Sequence, residues 1–249
     1  MILSLSSHEL FEYVNSQAST YFPDKSTLGG DKQAFDFALD RLEYSFSHIS
    51  LRGYKYKDEP NFYHLNMDQY SAFLYYYANC IWKLDGNMRF ADKLILLNRT
   101  LSGMWCSYKN NLPDIFIFVH PVGTVLGNAN YSDYLVVLQN VTVNTAQDER
   151  GKYLLNIGKG CYLSTGAKII GKASIGNYCT LGVGTVLHNM SISDNTIAYN
   201  DKNGTLQIKK HDNSKLLSCF LIYRMLYNEV SDVHHLYMWQ EAVLMKGWS

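Results

Sequence analysis

Between Ile157 and Leu187 an aliphatic residue returns every six positions, at Ile157, Leu163, Ile169, Ile175, Leu181 and Leu187. Four residues after each stands a small one: Cys161, Ala167, Ala173, Cys179, Thr185 and Ser191. A helix repeats at about 3.6 residues and a strand at about 2, so neither alone gives a period of six. A short strand plus a corner does. Three such hexads close one triangular coil of a parallel β-helix, and coils stack at the ordinary inter-strand spacing of about 4.8 Å. The aliphatic side chain then points into the prism, and the small one occupies a crowded position near the corner. The same spacing runs upstream through Val119, Val125, Tyr131, Val137 and Val143, with Gly123, Ala129, Leu135 and Val141 as the first four partners. The register breaks at 144–156, NTAQDERGKYLLN, which inserts about eight residues beyond one repeat. An antiparallel sandwich would instead need turn signals roughly every 8–12 residues.

Residues 1–112 carry a helical pattern. In DKQAFDFALDRLEYSFSHI the apolar positions Phe35, Ala38, Leu39, Leu42, Phe46 and Ile49 follow helical spacing. YSAFLYYYANCIWKL (70–84) is too short and too close to charge for a bilayer span, and reads as a buried helix. Its end is expected at Asp85-Gly86, with glycine in the left-handed cap. Asn87 is a good cap for the next helix. About four helices therefore precede the first coil. Beyond the coils, DKNGTLQIKKHDNS reads as a polar connector, followed by two amphipathic helices, KLLSCFLIYRMLYNEV and VHHLYMWQEAVLMKGW. The expected division is a helical domain at 1–112, a β-helix at 113–203, and a connector with C-terminal helices at 204–249. An open solenoid exposes unpaired strand edges, and these flanks are the candidates to cap them.

Composition narrows the function classes. Lys and Arg number 22 and Asp and Glu 22, so no basic field marks a nucleic-acid or membrane-surface partner. The five cysteines are scattered, with no C-x-x-C pair; they read as reduced core thiols of a cytoplasmic protein, not as a metal site. The N-terminus lacks the basic and apolar regions of a signal peptide. The adjacent His234-His235 lacks metal-ligand spacing, and no metal is expected. His188 is expected to face outward, and His211 lies in the tail.

The run FVHPVGTVLGNANYSDYLVVLQNVTV, followed by IGKGCYLSTGAKIIGKASIGNYCTLGVGTVL, resembles the serine acetyltransferase family over roughly residues 113–197. The resemblance implies an α+β protein: a helical N-terminal domain followed by a left-handed parallel β-helix. It implies acetyl-CoA as co-substrate and a homotrimer or dimer of trimers, with active sites between neighbouring prisms. His120, followed by Gly123 and Gly127, matches the family's catalytic histidine. An alcohol is a poor nucleophile at neutral pH, and an imidazole within hydrogen-bond reach is suited to take its proton. Holding acceptor and acyl donor together supplies much of the rate, with no covalent enzyme intermediate required. Ser164, Thr165, Gly166 and Gly184 match the stretches that line acetyl-CoA, although the fold itself also asks for small residues there.

The departures matter as much. The family places aspartates immediately before the histidine and about fifteen residues earlier, where this chain has Val119 and Trp105. Asp114 is then the candidate to orient His120, against a plain loop role, and Asp133 reads as a turn residue. The family's second histidine, which helps hold serine, falls at Leu154, beside Tyr153. The 144–156 insertion, with Asp148, Glu149 and Arg150, is expected to cover the site. The short C-terminal tail that docks into the partner enzyme is replaced, so that partner is not expected. The reading is an acetyl-CoA-dependent O-acetyltransferase with a saccharide acceptor, of a surface polysaccharide or its precursor. L-Serine is the alternative acceptor, and a catalytically retired hexapeptide scaffold is the non-enzymatic alternative.

Overall fold

The computed structural model describes residues 1–24, 30–210 and 219–220. The two expected tail helices, with His211, His234 and His235, lie outside the described residues. The chain opens with β1 (Ile2–Leu3), α1 (Ser7–Tyr21), α2 (Lys32–Ser47), β2 (Lys55–Tyr56), β3 (Glu59–Phe62), α3 (Met67–Lys83) and α4 (Met88–Ser102). Each helix starts where a side chain can accept from its exposed backbone N–H groups. Ser6 and Glu9 form a reciprocal capping box, and Asp31, Asn66 and Asn87 cap the other three. The helical spacing read in α2 is its buried face: Phe35, Ala38, Leu42, Phe46 and Ile49 are all buried. α3 is buried from Gln69 to Ile81 without interruption. Its end differs from expectation in detail. Asp85 takes the left-handed conformation (φ 49°), while Gly86 is required for space, since a Cβ there would lie 2.9 Å from Asp31 Oδ2 and 3.2 Å from Ile81.

The coils follow: β4 (Trp105–Cys106), β5 (Phe116–Phe118), β6 (Val125–Leu126), β7 (Asn130–Tyr131), β8 (Leu135–Val137), β9 (Thr142–Val143), β10 (Leu155–Ile157), β11 (Tyr162–Leu163), β12 (Lys168–Ile170), β13 (Ala173–Ile175), β14 (Thr180–Leu181), β15 (Val186–His188), β16 (Thr196–Asn200) and β17 (Leu206–Lys210). They form three parallel faces, with only β17 antiparallel. Face one is β4-β6-β9-β12-β15, face two is β5-β8-β11-β14-β16-β17, and face three is β7-β10-β13. From β7 onward the chain visits faces three, two and one in turn, one strand per hexad. The stack begins at Trp105, inside the segment read as helical.

All six aliphatic residues from Ile157 to Leu187 are at most 2% exposed and fill the prism. Their small partners are buried too, except Ser191, where the regular coil ends. Upstream, Val137 and Val143 are interior as expected. Val119 is only half-buried and Val125 is 41% exposed; Phe118 and Leu126 take the interior places instead. The reason is an insertion. Phe118 pairs with Val137 and Leu126 with Val143, so eight residues separate the interior positions of the first coil where six separate those of the second. A one-residue slip turns a strand's side chains to the opposite face.

Both ends of the solenoid are covered. At the top, Tyr75 and Tyr76 of α3 pack on Phe116 at 5.9 and 5.2 Å, the Tyr75 hydroxyl donates to Asn110 O, and Asn79 Nδ2 donates to Tyr108 O. At the bottom, the expected connector contains β17, which folds back on β16 across a turn at Asp201–Gly204. The Asn203-Gly204 pair is a hairpin signal of the common kind, and Asp201 Oδ1 accepts from Asn203 N and Thr205 N. Cys219 and Phe220 join the two parts: Ser50 N donates to Cys219 O, and Phe220 stacks on Tyr134 at 5.2 Å. All five cysteines are buried and unbridged. No described helix is long and apolar enough to cross a membrane.

Candidate active site

His120 stands at the corner where the chain passes from face two to face one. His120 and Pro121 are the residues that lengthen the first coil, because Val122 and Gly123 stack on Gln139 and Asn140 of the next one: Asn140 N donates to Val122 O, and a Cβ on Gly123 would meet Asn140 Oδ1 at 2.2 Å. The histidine is thus pushed out of the hexad frame, with its side chain 69% exposed. Its backbone is left-handed (φ 48°) and precedes a proline, two conditions that disfavour each other in an ordinary chain. Such strain persists only where the surroundings impose it.

Two helix ends impose it here. The first turn of α3 supplies Asp68, whose Oδ1 accepts from the His120 backbone N–H at 2.9 Å and whose Oδ2 lies 3.5 Å from His120 Nδ1. One carboxylate therefore holds both the backbone and the ring. Asp68 is itself held, because Asn66 caps the helix by accepting from Asp68 N and Gln69 N. On the other side, the left-handed Gly103 ends α4, and its carbonyl accepts from Gly123 N. With Nδ1 directed at Asp68, the proton of the neutral ring belongs on Nδ1, which leaves the Nε2 lone pair for an incoming hydroxyl. Burial pushes the Asp68 carboxyl above its ordinary range, and the neighbouring His120 opposes that shift.

The other expected residues divide into two groups. Ser164, Thr165, Gly166 and Gly184 occupy the same corner as His120, on the coils beneath it. A ladder of backbone bonds joins them: Gly166 N donates to Gln139 O at 3.0 Å, and Gly184 N to Thr165 O at 2.9 Å. Ser164 is buried, Thr165 and Gly166 are half-buried, and Gly184 is exposed. A Cβ at Gly184 would touch nothing within 4 Å, so the backbone there is open to a ligand. These features fit the extended arm of an acyl donor, which needs a long groove with exposed backbone polar groups.

Asp114 does not join them. It lies at the opposite end of β5 from His120, where its carboxylate meets Arg41 Nη2 at 3.4 Å. The orienting carboxylate is Asp68, which sequence reasoning missed. Asp133 is a turn residue as expected, accepting from Ile115 N. His188 is exposed at the end of face one. The insertion folds on itself, with Asp148 Oδ1 accepting from Arg150 N and Lys152 N, and Leu154 N donating to Ala146 O. It leaves the prism between β9 and β10, at the corner between faces one and three. Within a single chain it therefore does not cover His120. Among the described residues no group of three His, Cys, Asp or Glu side chains is placed to hold a metal ion.

No family model and no curated protein matches the sequence. Solved structures do resemble the fold. A hexapeptide-repeat serine O-acetyltransferase from Brucella melitensis aligns with a TM-score of 0.59 at 16% identity, covering 84% of this chain and 86% of that one. Serine acetyltransferase from Brucella abortus aligns at 0.56 and 18% identity, covering 81% and 84%. Serine acetyltransferase isoform 3 from Entamoeba histolytica, solved with cysteine, aligns at 0.53 and 14%, covering 85% and 76%. The helical domain and the prism are thus shared in one arrangement across most of each chain.

Proposed function

We propose that this chain transfers an acetyl group from acetyl-CoA to an acceptor hydroxyl, with His120 as general base and Asp68 as its positioning residue. The observation that carries the reading is the double hold of Asp68 on His120, which leaves Nε2 exposed at the head of a corner lined by open backbone. His120 Nε2 takes the hydroxyl proton as the oxygen attacks the thioester carbonyl carbon. The imidazolium, faced by Asp68, then returns that proton to the departing thiolate as the carbon–sulfur bond breaks. Acetyl ester and free thiol are the products, and the histidine ends as it began. Ser164, Thr165, Gly166 and Gly184 are the residues of this chain that would line the donor. A homotrimer supplies the second wall of the groove, as an outward-facing site on a prism requires.

The acceptor is a saccharide hydroxyl, since Leu154 stands where a serine-holding histidine is expected. L-Serine is the second reading, favoured by the names of the structures that share the fold. A thiol-release assay with acetyl-CoA, run against L-serine, free sugars and nucleotide sugars, separates the two. His120→Ala is expected to abolish release on the true acceptor. Release that survives His120→Ala would overturn the base assignment, and wild-type protein that fails to bind CoA would favour a retired scaffold.

A further inference from the structure

Gln139 lies one coil below His120 in the same corner, between Val122 above and Thr165 beneath. Its backbone is fully used, its carbonyl accepting from Gly166 N. Its side chain is not. Oε1 is buried and has no hydrogen-bond partner. A buried acceptor left unpaired costs about 1–3 kcal/mol, so such a group in a native protein calls for an explanation. Position supplies one. The corner column Val122, Gln139, Thr165, Val183 runs down from His120 through the coils, and Val122 and Val183 are 61% and 47% exposed. Gln139 is the first side chain in this column below the histidine that can hydrogen-bond.

We infer that Gln139 positions the acyl donor by accepting a hydrogen bond from its amide N–H nearest the thioester. The inference rests on the acetyltransferase reading above. With the thioester carbonyl beside His120 Nε2, the donor's arm descends along the corner. Two methylenes separate the thioester sulfur from that first amide nitrogen, a reach comparable to the coil spacing of about 4.8 Å. The arm therefore brings a donor to the level of an acceptor that lacks one. Neither the acceptor substrate nor the helical domain takes part in this contact. Its effect belongs to donor affinity and to the fraction of bound donor aligned with His120.

The test pairs Gln139→Met, close in size but without the acceptor, with the wild-type protein. Calorimetry with CoA alone needs no knowledge of the acceptor. CoA is expected to bind Gln139→Met about 5- to 10-fold more weakly, the size of one neutral hydrogen bond. The unliganded variant should melt at the same temperature as wild type or higher, because an unpaired buried acceptor is gone. A second probe is a pair of short acetyl thioesters, one keeping the amide N–H and one with ester oxygen in its place. Wild type should favour the amide, and Gln139→Met should not distinguish them. Equal CoA affinity in the two proteins would overturn the inference, as would a lower melting temperature with unchanged discrimination, which marks a purely structural glutamine. Failure of the wild type to bind CoA would instead overturn the acetyltransferase reading on which the inference stands.

Discussion

Asp68 meets His120 twice, and the two contacts predict different consequences of its loss. In Asp68→Asn the amide oxygen can still accept from the His120 backbone, so the corner keeps its shape. The amide N–H2 then faces Nδ1 and moves the ring proton to Nε2, the wrong tautomer for a base. Turnover should fall by about 10²–10⁴-fold with little change in KM, measured by thiol release. Stability should move the other way. Burial raises the Asp68 carboxyl, so the folded state binds its proton more tightly than the unfolded chain does. The charged carboxylate therefore weighs against folding above its folded pKa, and that burden lifts as the pH falls through it. Asp68→Asn should melt higher than wild type at neutral pH, with the difference shrinking in acid. A variant that melts lower at neutral pH would contradict this account. Asp114→Ala, by contrast, removes an exposed ion pair at the far end of β5, and activity should stay within about twofold, as expected for a pair of that kind. His120 was legible in the sequence because its neighbours carry a recognisable pattern. Asp68 was not. It lies 52 residues upstream, and only docking of α3 onto the first coil brings the two together. In sequence it reads as an acidic residue complementing a helix N-terminus, which it also is.

At the scale of elements, a hexad is a strict frame, and departures from it are where information sits. The later coils were readable position by position because every strand is short and every corner stacks on its neighbour. The first coil was misread by one residue at Val119 and Val125, since the two extra residues that carry His120 leave no mark on the spacing of valines. β17 was likewise read as connector because its alternation is weakly apolar and its pairing is antiparallel. Stacking makes two glycine substitutions diverge. Gly158 has ordinary backbone angles, but a Cβ there would lie 2.6 Å from Gly176 backbone, which cannot retreat without parting the coils. Gly158→Ala should destabilise by about 2–4 kcal/mol, within the range for overpacked interiors. Gly184 has open space and a left-handed backbone (φ 65°), so Gly184→Ala should cost only about 1 kcal/mol. Denaturant melts of both would check the order. Any loss of CoA affinity in Gly184→Ala beyond that small cost would point to direct donor contact.

Seen whole, the prism has three outer faces of different character. The outward positions of face two, Ile117, Val136, Tyr162 and Thr180, are already buried within the chain. Those of face three, Asn130, Asn156 and Ser174, are exposed and polar, with Asn130 Nδ2 donating to Asn156 Oδ1. Face one presents Trp105, Val125 and Val186 at 37%, 41% and 46% exposure, and the His120 corner beside it adds Val122 and Val183. Exposed apolar side chains aligned along one face are unusual for a surface that meets only water. The face adjoins the proposed groove, so a second copy seated there would exclude water from His120 and complete the donor's channel. Closed cyclic assembly of identical prisms through this face gives the expected trimer. Val186→Arg tests it at a distance from the chemistry. The residue lies on β15, coils below His120, where an exposed substitution should change the stability of one chain by no more than about 0.5 kcal/mol. It places a second positive charge beside Lys168, its cross-strand neighbour. Light scattering should find wild type trimeric and Val186→Arg monomeric, with secondary structure retained and both CoA binding and thiol release lost. A variant that stays active as a monomer would show that one prism suffices, and that the apolar face serves some purpose other than building the site.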